Sequence, residues 1–291
     1  MKYLLFFLVA FSSHAKVNVL TTTPELAYAA KVIGGDKASV ESLLTGNEDP
    51  HYVDAMPRYV FKAANADIIC SVGLGLELGW LPKVLQKSGN VKVQKGGKGF
   101  CETGSKVSAL DKKEGNIDRS LGDVHPEGNP HFHFSPKAYL EASEAILDSY
   151  LATDSENAQT YLKNFELLKK EVIELEKEAV PFIEKIKGQP FMEYHKSFSY
   201  FFNHFKLNNI GSVETVSGVP PSAGQLVRSA MRAKDKKVTA VIASHVAPSD
   251  VLKKFREFSK VKVIKVPLGM KKSSGKTYKE FYLSFLKEIT K

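Results

Sequence analysis

A helical pattern of about thirty residues lies in the middle of this chain, and it constrains the fold more than any other feature. Over residues 155–187, Tyr161, Phe165, Leu168, Val172, Leu175, Ala179 and Phe182 recur at intervals of three and four, the spacing of one apolar helical face. Asp154 or Ser155 supplies the N-cap. Pro181 is expected to bend the last turns, because its ring removes a backbone donor and crowds the preceding turn. At 1.5 Å per residue, such a helix is a rod of about 45 Å, long enough to pass from one domain to another.

On either side of this rod, strand-like and helix-like segments alternate. The first half reads as strand 16–22, helix 24–33, strand 40–44, helix 55–64, strand 67–72 and helix 78–86. Between residues 93 and 130 the pattern dissolves into Gly, Lys, Asp, Glu and Asn before a helix over 136–150. A loop that long inside a compact domain is usually functional or disordered. The second half reads as strand 190–194, helix 198–205, strand 211–216, helix 223–233, strand 238–244, helix 249–258, strand 261–266 and helix 278–290. Such alternation predicts an α/β fold with parallel sheets. The expected organisation is a signal peptide over 1–15, an N-terminal α/β lobe over 16–153, a linker helix over 154–187 and a C-terminal α/β lobe over 188–291. The halves resemble each other in architecture and not in sequence.

The signal peptide rests on a positive start at Met1-Lys2, an apolar stretch over 3–11 and the small residues of Ser13-His14-Ala15, which place a cleavage site before Lys16. The alternative, a membrane anchor, is disfavoured because the apolar run falls well short of the ~20 residues that span a bilayer. No cysteine follows the cut to carry a lipid, so the expected product is a free periplasmic protein. The formal net charge of +9 raises the question of an acidic partner. Its lysines, however, stand beside glutamates at helical spacing, as in Lys169-Lys170-Glu171, which is a solvated face and not a nucleic-acid stripe. Cys70 and Cys101 are the two cysteines. In an oxidising compartment they are either a disulfide or two buried thiols, and sequence cannot say whether their geometry allows the bond.

Three histidine-bearing turns carry the chemistry: Asp49-Pro50-His51, Asn129-Pro130-His131-Phe132-His133 and Tyr194-His195-Lys196-Ser197-Phe198. Imidazoles are strong ligands for zinc and its first-row neighbours, and three of them supply most of a tetrahedral shell. His51 and His195 follow strand-like runs, and open α/β sheets bind ligands beyond the carboxyl ends of their strands. Taken singly, each fits an ordinary turn or core histidine equally well; together they point to a metal. Tyr52, Phe132, Phe134, Tyr194 and Phe198 either form a dry wall around such a site or are simple packing. His204, among Phe201, Phe202 and Phe205, reads as packing.

These turns, with Gly73-Leu74-Gly75-Leu76-Glu77, Trp80-Leu81, Val219-Pro220-Pro221-Ser222 and Pro267-Leu268-Gly269, resemble in order the signatures of the zinc- and manganese-binding solute-binding proteins of metal-uptake ABC transporters. The resemblance covers essentially the whole chain after the signal. It implies two lobes joined by one long helix with a metal between them, held by His51, His131 and His195. Manganese members commonly replace the third histidine with a carboxylate, so His195 leans the reading toward Zn2+, with Mn2+ as the alternative. The implied partner is a membrane-embedded ABC permease, and the receptor is expected to be a monomer. The family's fourth ligand is an aspartate just before Pro-Leu-Gly, where this chain has Val266. The position is then filled by water, or by His245, His125 or His133; His245 is preferred because it lies in the lobe that lacks the aspartate. Residues 104–128 correspond to a variable loop that is often histidine-rich. Here it offers His125 with Asp111, Glu114, Asp118, Asp123 and Glu127, either a weak metal-collecting lid or a solvated loop.

Two readings compete with a receptor that performs no catalysis. Three histidines and a water also make a zinc hydrolase site, for which Glu193, on the same strand face as His195, is the visible general base. A metal-binding surface adhesin would use the same fold.

Overall fold

The computed structural model describes residues 15–112, 125–216, 218–271 and 273–291. Two four-stranded sheets organise it. The first holds β1 (Val17–Thr21), β2 (Ala38–Ser42), β3 (Ile68–Ser71) and β4 (Phe100–Glu102) in the order β2-β1-β3-β4. The second holds β5 (Pro190–Glu193), β6 (Asn208–Ser212), β7 (Ala240–Ser244) and β8 (Lys262–Val266) in the order β6-β5-β7-β8. All pairings are parallel, so the two lobes share one topology.

The helices are α1 (Pro24–Gly34), α2 (Pro57–Ala64), α3 (Leu81–Ser88), α4 (Pro136–Thr153), α5 (Ala158–Ile186), α6 (Ser199–His204), α7 (Ala223–Asp235), α8 (Ser249–Ser259) and α9 (Tyr278–Ile289). Parallel sheets are covered on both faces by their crossover helices. This is why β3 (Ile68, Ile69, Cys70, Ser71) and β7 (Ala240 through Ser244) are buried at every position. The edge strands β2 and β8 are only partly buried.

Helix α5 spans 29 residues, about 43 Å, and packs against α1 and α4 of the first lobe and α9 of the second. Its buried face is Tyr161, Leu168, Val172, Leu175, Ala179, Ile183 and Ile186. The helix continues past Pro181, because Ile183 and Ile186 beyond it are buried and hold the last turns in place. One apolar cluster runs through both lobes, beside a smaller one in each. The rings of Tyr139 and Tyr278 stack at 3.7 Å and 11°, and Phe134 lies 4.7 Å from Phe198 and 5.1 Å from Phe285 between ring centroids. Three tyrosine hydroxyls of this core find acceptors: Tyr139 donates to the Glu25 carbonyl, Tyr278 to that of His133 and Tyr282 to that of Phe134.

Two strand readings of the sequence need correction, and one alternative left open is decided. Strand β4 lies inside the segment that showed no pattern; three residues are too few to display a period of two. Strand β6 runs over 208–212 and not 211–216, because Asn208-Asn209-Ile210-Gly211-Ser212 has a polar, glycine-bearing composition that hides a half-exposed edge strand. Cys70 and Cys101 are partners in register on neighbouring strands, and both are buried free thiols. Burial pushes the Cys70 thiol well above its ordinary range, with its hydrogen bond to Cys101 acting in the same direction.

Candidate metal centre

Each of the three histidines is placed by a different device. His51 lies on the connection from β2 to α2. There the Asp49 carboxylate accepts from the His51 backbone N–H at 3.0 Å and approaches its Nδ1 at 2.7 Å through the same oxygen, while the Trp80 indole donates to the Pro50 carbonyl at 3.0 Å. Burial pushes the Asp49 carboxyl up, but the hydrogen bonds and charge of His51 outweigh it and hold the group below its usual range.

His195 follows β5 by two residues. Strand β5 is the point where the second sheet's chain order reverses, which is where open α/β sheets place ligands. Its Nδ1 lies 2.9 Å from Glu214 Oε2, and the Gly218 backbone N–H donates to that oxygen as well.

His131 is the most buried of the three, at 2% exposure. Asn129 fixes its backbone: Asn129 Oδ1 accepts from the His131 N–H at 2.9 Å, and Asn129 Nδ2 donates to the Lys196 carbonyl at 2.7 Å. One side chain thus ties the His131 turn to the residue after His195. Burial first, then the neighbouring His51 and His195, push the His131 imidazole well below its ordinary range, so its ring is held neutral.

These placements bring His51, His131 and His195 together. One ligand atom from each lies within 4.8 Å of the others, and ring centroids are 5.2 Å (His51 to His131), 5.6 Å (His51 to His195) and 5.6 Å (His131 to His195) apart. Tetrahedral zinc with Zn–N near ~2.0–2.1 Å needs nitrogens about 3.4 Å apart, so a shift of about 1 Å or less converts the cluster into a coordination shell. The Nε2 atoms of His51 and His131 are buried with no hydrogen-bond partner, an arrangement that buried polar atoms seldom adopt without an ion or water to satisfy them.

The fourth-ligand candidates stand in different surroundings. His125 is next to the cluster, its ring 5.3 Å from that of His51, and it lines a pocket of about 80 Å³ together with His131, His195 and Asp111. The Nε2 of His133 is 2.8 Å from the Leu268 carbonyl and donates to it. His245 accepts the Leu268 backbone N–H at Nδ1 at 3.2 Å, while its Nε2 is buried and unpartnered; neither it nor His125 belongs to the three-histidine group. Ring proximity to His51 favours His125 over His245, the candidate preferred from sequence. His245 lies beyond β7, against the Pro-Leu-Gly turn. Within the 104–128 segment, Asp111 is bonded to Asn129 and Lys196; Glu114, Asp118 and Asp123 lie outside the described residues, as do residues 1–14 of the signal peptide expected over 1–15.

Glu193 is not placed as a general base. It is buried, accepting the Phe198 backbone N–H and the Asn209 amide, each at 2.8 Å. Of the proposed aromatic wall, Phe132, Phe134, Tyr194 and Phe198 are buried, but Tyr52 is 63% exposed. His204 does more than pack: its Nε2 meets Glu176 of α5 at 3.1 Å and its Nδ1 meets Ser135 Oγ at 3.1 Å. Sequence reasoning missed the roles of Asp49 and Glu214. Asp49 was visible two residues before His51, whereas Glu214 is 19 residues from His195 and belongs to no recognisable motif.

Comparison with known proteins agrees with this fold. The family model described as the periplasmic component A of zinc-uptake complexes, ZnuA, matches residues 19–291. Among curated relatives, a zinc-binding lipoprotein AdcA of Streptococcus pneumoniae is 26% identical, covering 81% of this chain and 47% of its own length. The manganese ABC transporter substrate-binding lipoprotein scaA of Streptococcus gordonii is 28% identical, covering 58% of this chain and 52% of its own. The chain thus spans about half the length of these curated relatives. Among solved structures, a zinc-bound ZnuA deletion mutant superposes with a TM-score of 0.78 at 20% identity, over 94% of this chain and 97% of that one. The solute-binding protein FpvC of Pseudomonas aeruginosa with Mn2+ superposes with a TM-score of 0.79 at 20% identity over the same shares. Both establish a common fold.

Proposed function

The chain belongs to the family of periplasmic zinc-uptake component A proteins, and from that premise we propose that it is an extracytoplasmic receptor that captures one zinc ion between its lobes and delivers it to an ABC permease. The observation that carries this reading is the cluster of His51, His131 and His195 within 4.8 Å. Two of its rings are already oriented by carboxylates, as the outer partners of metal-bound histidines are.

His51 and His131 come from the first lobe and His195 from the second, so the ion joins the lobes. Three neutral imidazoles favour zinc over manganese, which suits oxygen ligands; the related proteins named for zinc and for manganese make the choice of metal a matter for measurement. The fourth position is assigned to His125 or to water. Because one apolar cluster runs through both lobes at Tyr139, Tyr278 and Phe134, capture and release involve a small local movement in place of a wide hinge. A hydrolytic role finds no support at Glu193, whose two oxygens are engaged by Phe198 and Asn209.

Metal analysis and competition titration of the protein with zinc, manganese and iron test the reading. It expects one zinc per chain, bound more tightly than the other two metals, with each of His51→Ala, His131→Ala and His195→Ala strongly weakened. Any of the three variants binding zinc like the parent removes that residue from the site.

A further inference from the structure

A metal-bound histidine almost always has its second ring nitrogen fixed by a carboxylate, a carbonyl or a water. His51 and His195 have Asp49 and Glu214 for this purpose. Among the described residues, no carboxylate is hydrogen-bonded to the ring of His131. His131 lines two spaces: the pocket it shares with His125 and His195, and a smaller pocket of about 30 Å³ also lined by Thr23, Glu25, His133 and Gly269. A water needs roughly 10–15 Å³ of such volume and two or more polar partners.

The smaller pocket supplies both. Thr23 and Glu25 are each 4% exposed, and Thr23 Oγ1 and Glu25 Oε2 are buried with no hydrogen-bond partner. A carboxylate oxygen left in that condition is strongly unfavourable unless something donates to it. Glu25 is held in place by its backbone, whose carbonyl accepts from Tyr139, at the start of α1 just after Pro24. Room for its carboxylate is left by Gly269 of the second lobe, where a Cβ would stand 3.0 Å from Oε2.

We propose that a water bound in this pocket links the Glu25 carboxylate and the Thr23 hydroxyl to the second ring nitrogen of His131, making Glu25 the positioning residue of the third histidine. The water accepts the imidazole N–H and donates to Glu25, so the proton is kept on the pocket side of the ring and the lone pair is turned to the cluster. This inference rests on the receptor reading for its effect on zinc, but its effect on the His131 ring is present without metal.

The test uses the full chain with Glu25→Gln, Glu25→Leu and Thr23→Val. Long-range 15N–1H correlation spectra of the metal-free protein report the His131 tautomer. The parent is expected to hold one tautomer, with Glu25→Leu shifting it to a mixture and Glu25→Gln changing it less. Zinc affinity should fall about 10–100-fold in Glu25→Leu and less in the other two, while the urea midpoint of the metal-free protein stays unchanged or rises as a buried charge is removed. The idea is overturned if the His131 spectrum is the same in all variants, or if Glu25→Leu binds zinc like the parent. Should Glu25→Leu fail to fold, Glu25→Gln and Thr23→Val decide it by the same two readouts. If the parent protein itself binds no zinc, the receptor reading falls, and the His131 spectrum alone then decides the role of Glu25.

Discussion

His133 reaches from the first lobe to the second, its Nε2 donating to the Leu268 carbonyl at 2.8 Å, while its own carbonyl accepts from Tyr278 at 2.7 Å. A ring only two residues from His131 is therefore committed to joining the lobes. Replacing His133 by Ala leaves the Leu268 carbonyl unpaired, which should cost about 1–3 kcal/mol of stability. Zinc affinity should fall much less than in His131→Ala. Urea unfolding and competition titration on the two variants check this, and a His133→Ala protein as deficient in zinc as His131→Ala would make His133 a ligand.

Asp49 and Glu214 should matter nearly as much as the rings they orient. Asp49→Asn and Glu214→Gln keep size and much of the hydrogen bonding but lose the charge that fixes each imidazole proton on Nδ1. Each is expected to weaken zinc binding about 10–100-fold. Isothermal titration of both variants beside Asp111→Asn, whose carboxylate binds Asn129 and Lys196 instead, shows whether the loss is specific to ring partners. A similar loss in Asp111→Asn would mean that general loosening of the site is responsible.

The sequence showed most of the fold because buried parallel strands and a two-lobe helix leave strong local signals. The apolar runs of β3 and β7 and the three-four spacing of α5 are dictated by burial on both faces or on one stripe. The three histidines were legible because each sits in a turn with proline or an aromatic beside it. What stayed hidden depends on contacts between distant segments. Glu214 reaches His195 only through the β5–β6 pairing, and His125 approaches His51 across 74 residues of chain. His245 was favoured by lobe membership, whereas the Leu268 N–H, 23 residues away, engages it.

Acid should loosen both metal and fold through His131. Burial and its histidine neighbours depress the folded pKa, so below about pH 6.5 the unfolded chain takes up a proton that the folded one refuses. The unfolded state then binds more protons, and stability is full above that pH and declines as pH falls toward the folded pKa. Burial depresses His204 and His245 in the same direction. Zinc affinity should decline over the same range, because protons compete for the imidazoles. Thermal melts and zinc titrations from pH 8 to 5 measure both, and an affinity flat across this range would show that carboxylates hold the ion.

Glu193 should act with the opposite sign. Burial raises its carboxyl from 4.5 to about 7 against the opposing hydrogen bonds of Phe198 and Asn209. Between those two values the folded state holds a proton that the unfolded state has lost, so this group's contribution falls as pH rises from about 4.5 to 7. The difference of 2.5 units corresponds to about 3 kcal/mol at most. Glu193→Gln mimics the protonated form and should be more favourable, relative to the parent, at pH 8 than at pH 5. Denaturant unfolding at the two pH values tests it; equal differences at both would place the Glu193 pKa near its ordinary value.

Val266 stands where the resemblance to metal receptors implies an aspartate, and the structure sharpens what placing one there should do. Val266 ends β8 opposite Ser244, is 1% exposed and belongs to the apolar core with Leu268 and Met270. Yet Ser244 and Leu268, on either side of it, line a pocket of about 280 Å³ that also contains His51 and His195. In the metal-free protein, Val266→Asp buries a carboxylate among apolar groups and should destabilise the fold by a few kcal/mol. Zinc supplies the missing counter-charge, and an anionic oxygen is a competent zinc ligand. The stabilisation produced by saturating zinc, which grows with affinity, should therefore be larger in the variant than in the parent. Unfolding in urea with and without zinc gives both quantities for both proteins. If zinc stabilises the two equally, the carboxylate does not reach the ion, and the fourth position belongs to His125 or to water.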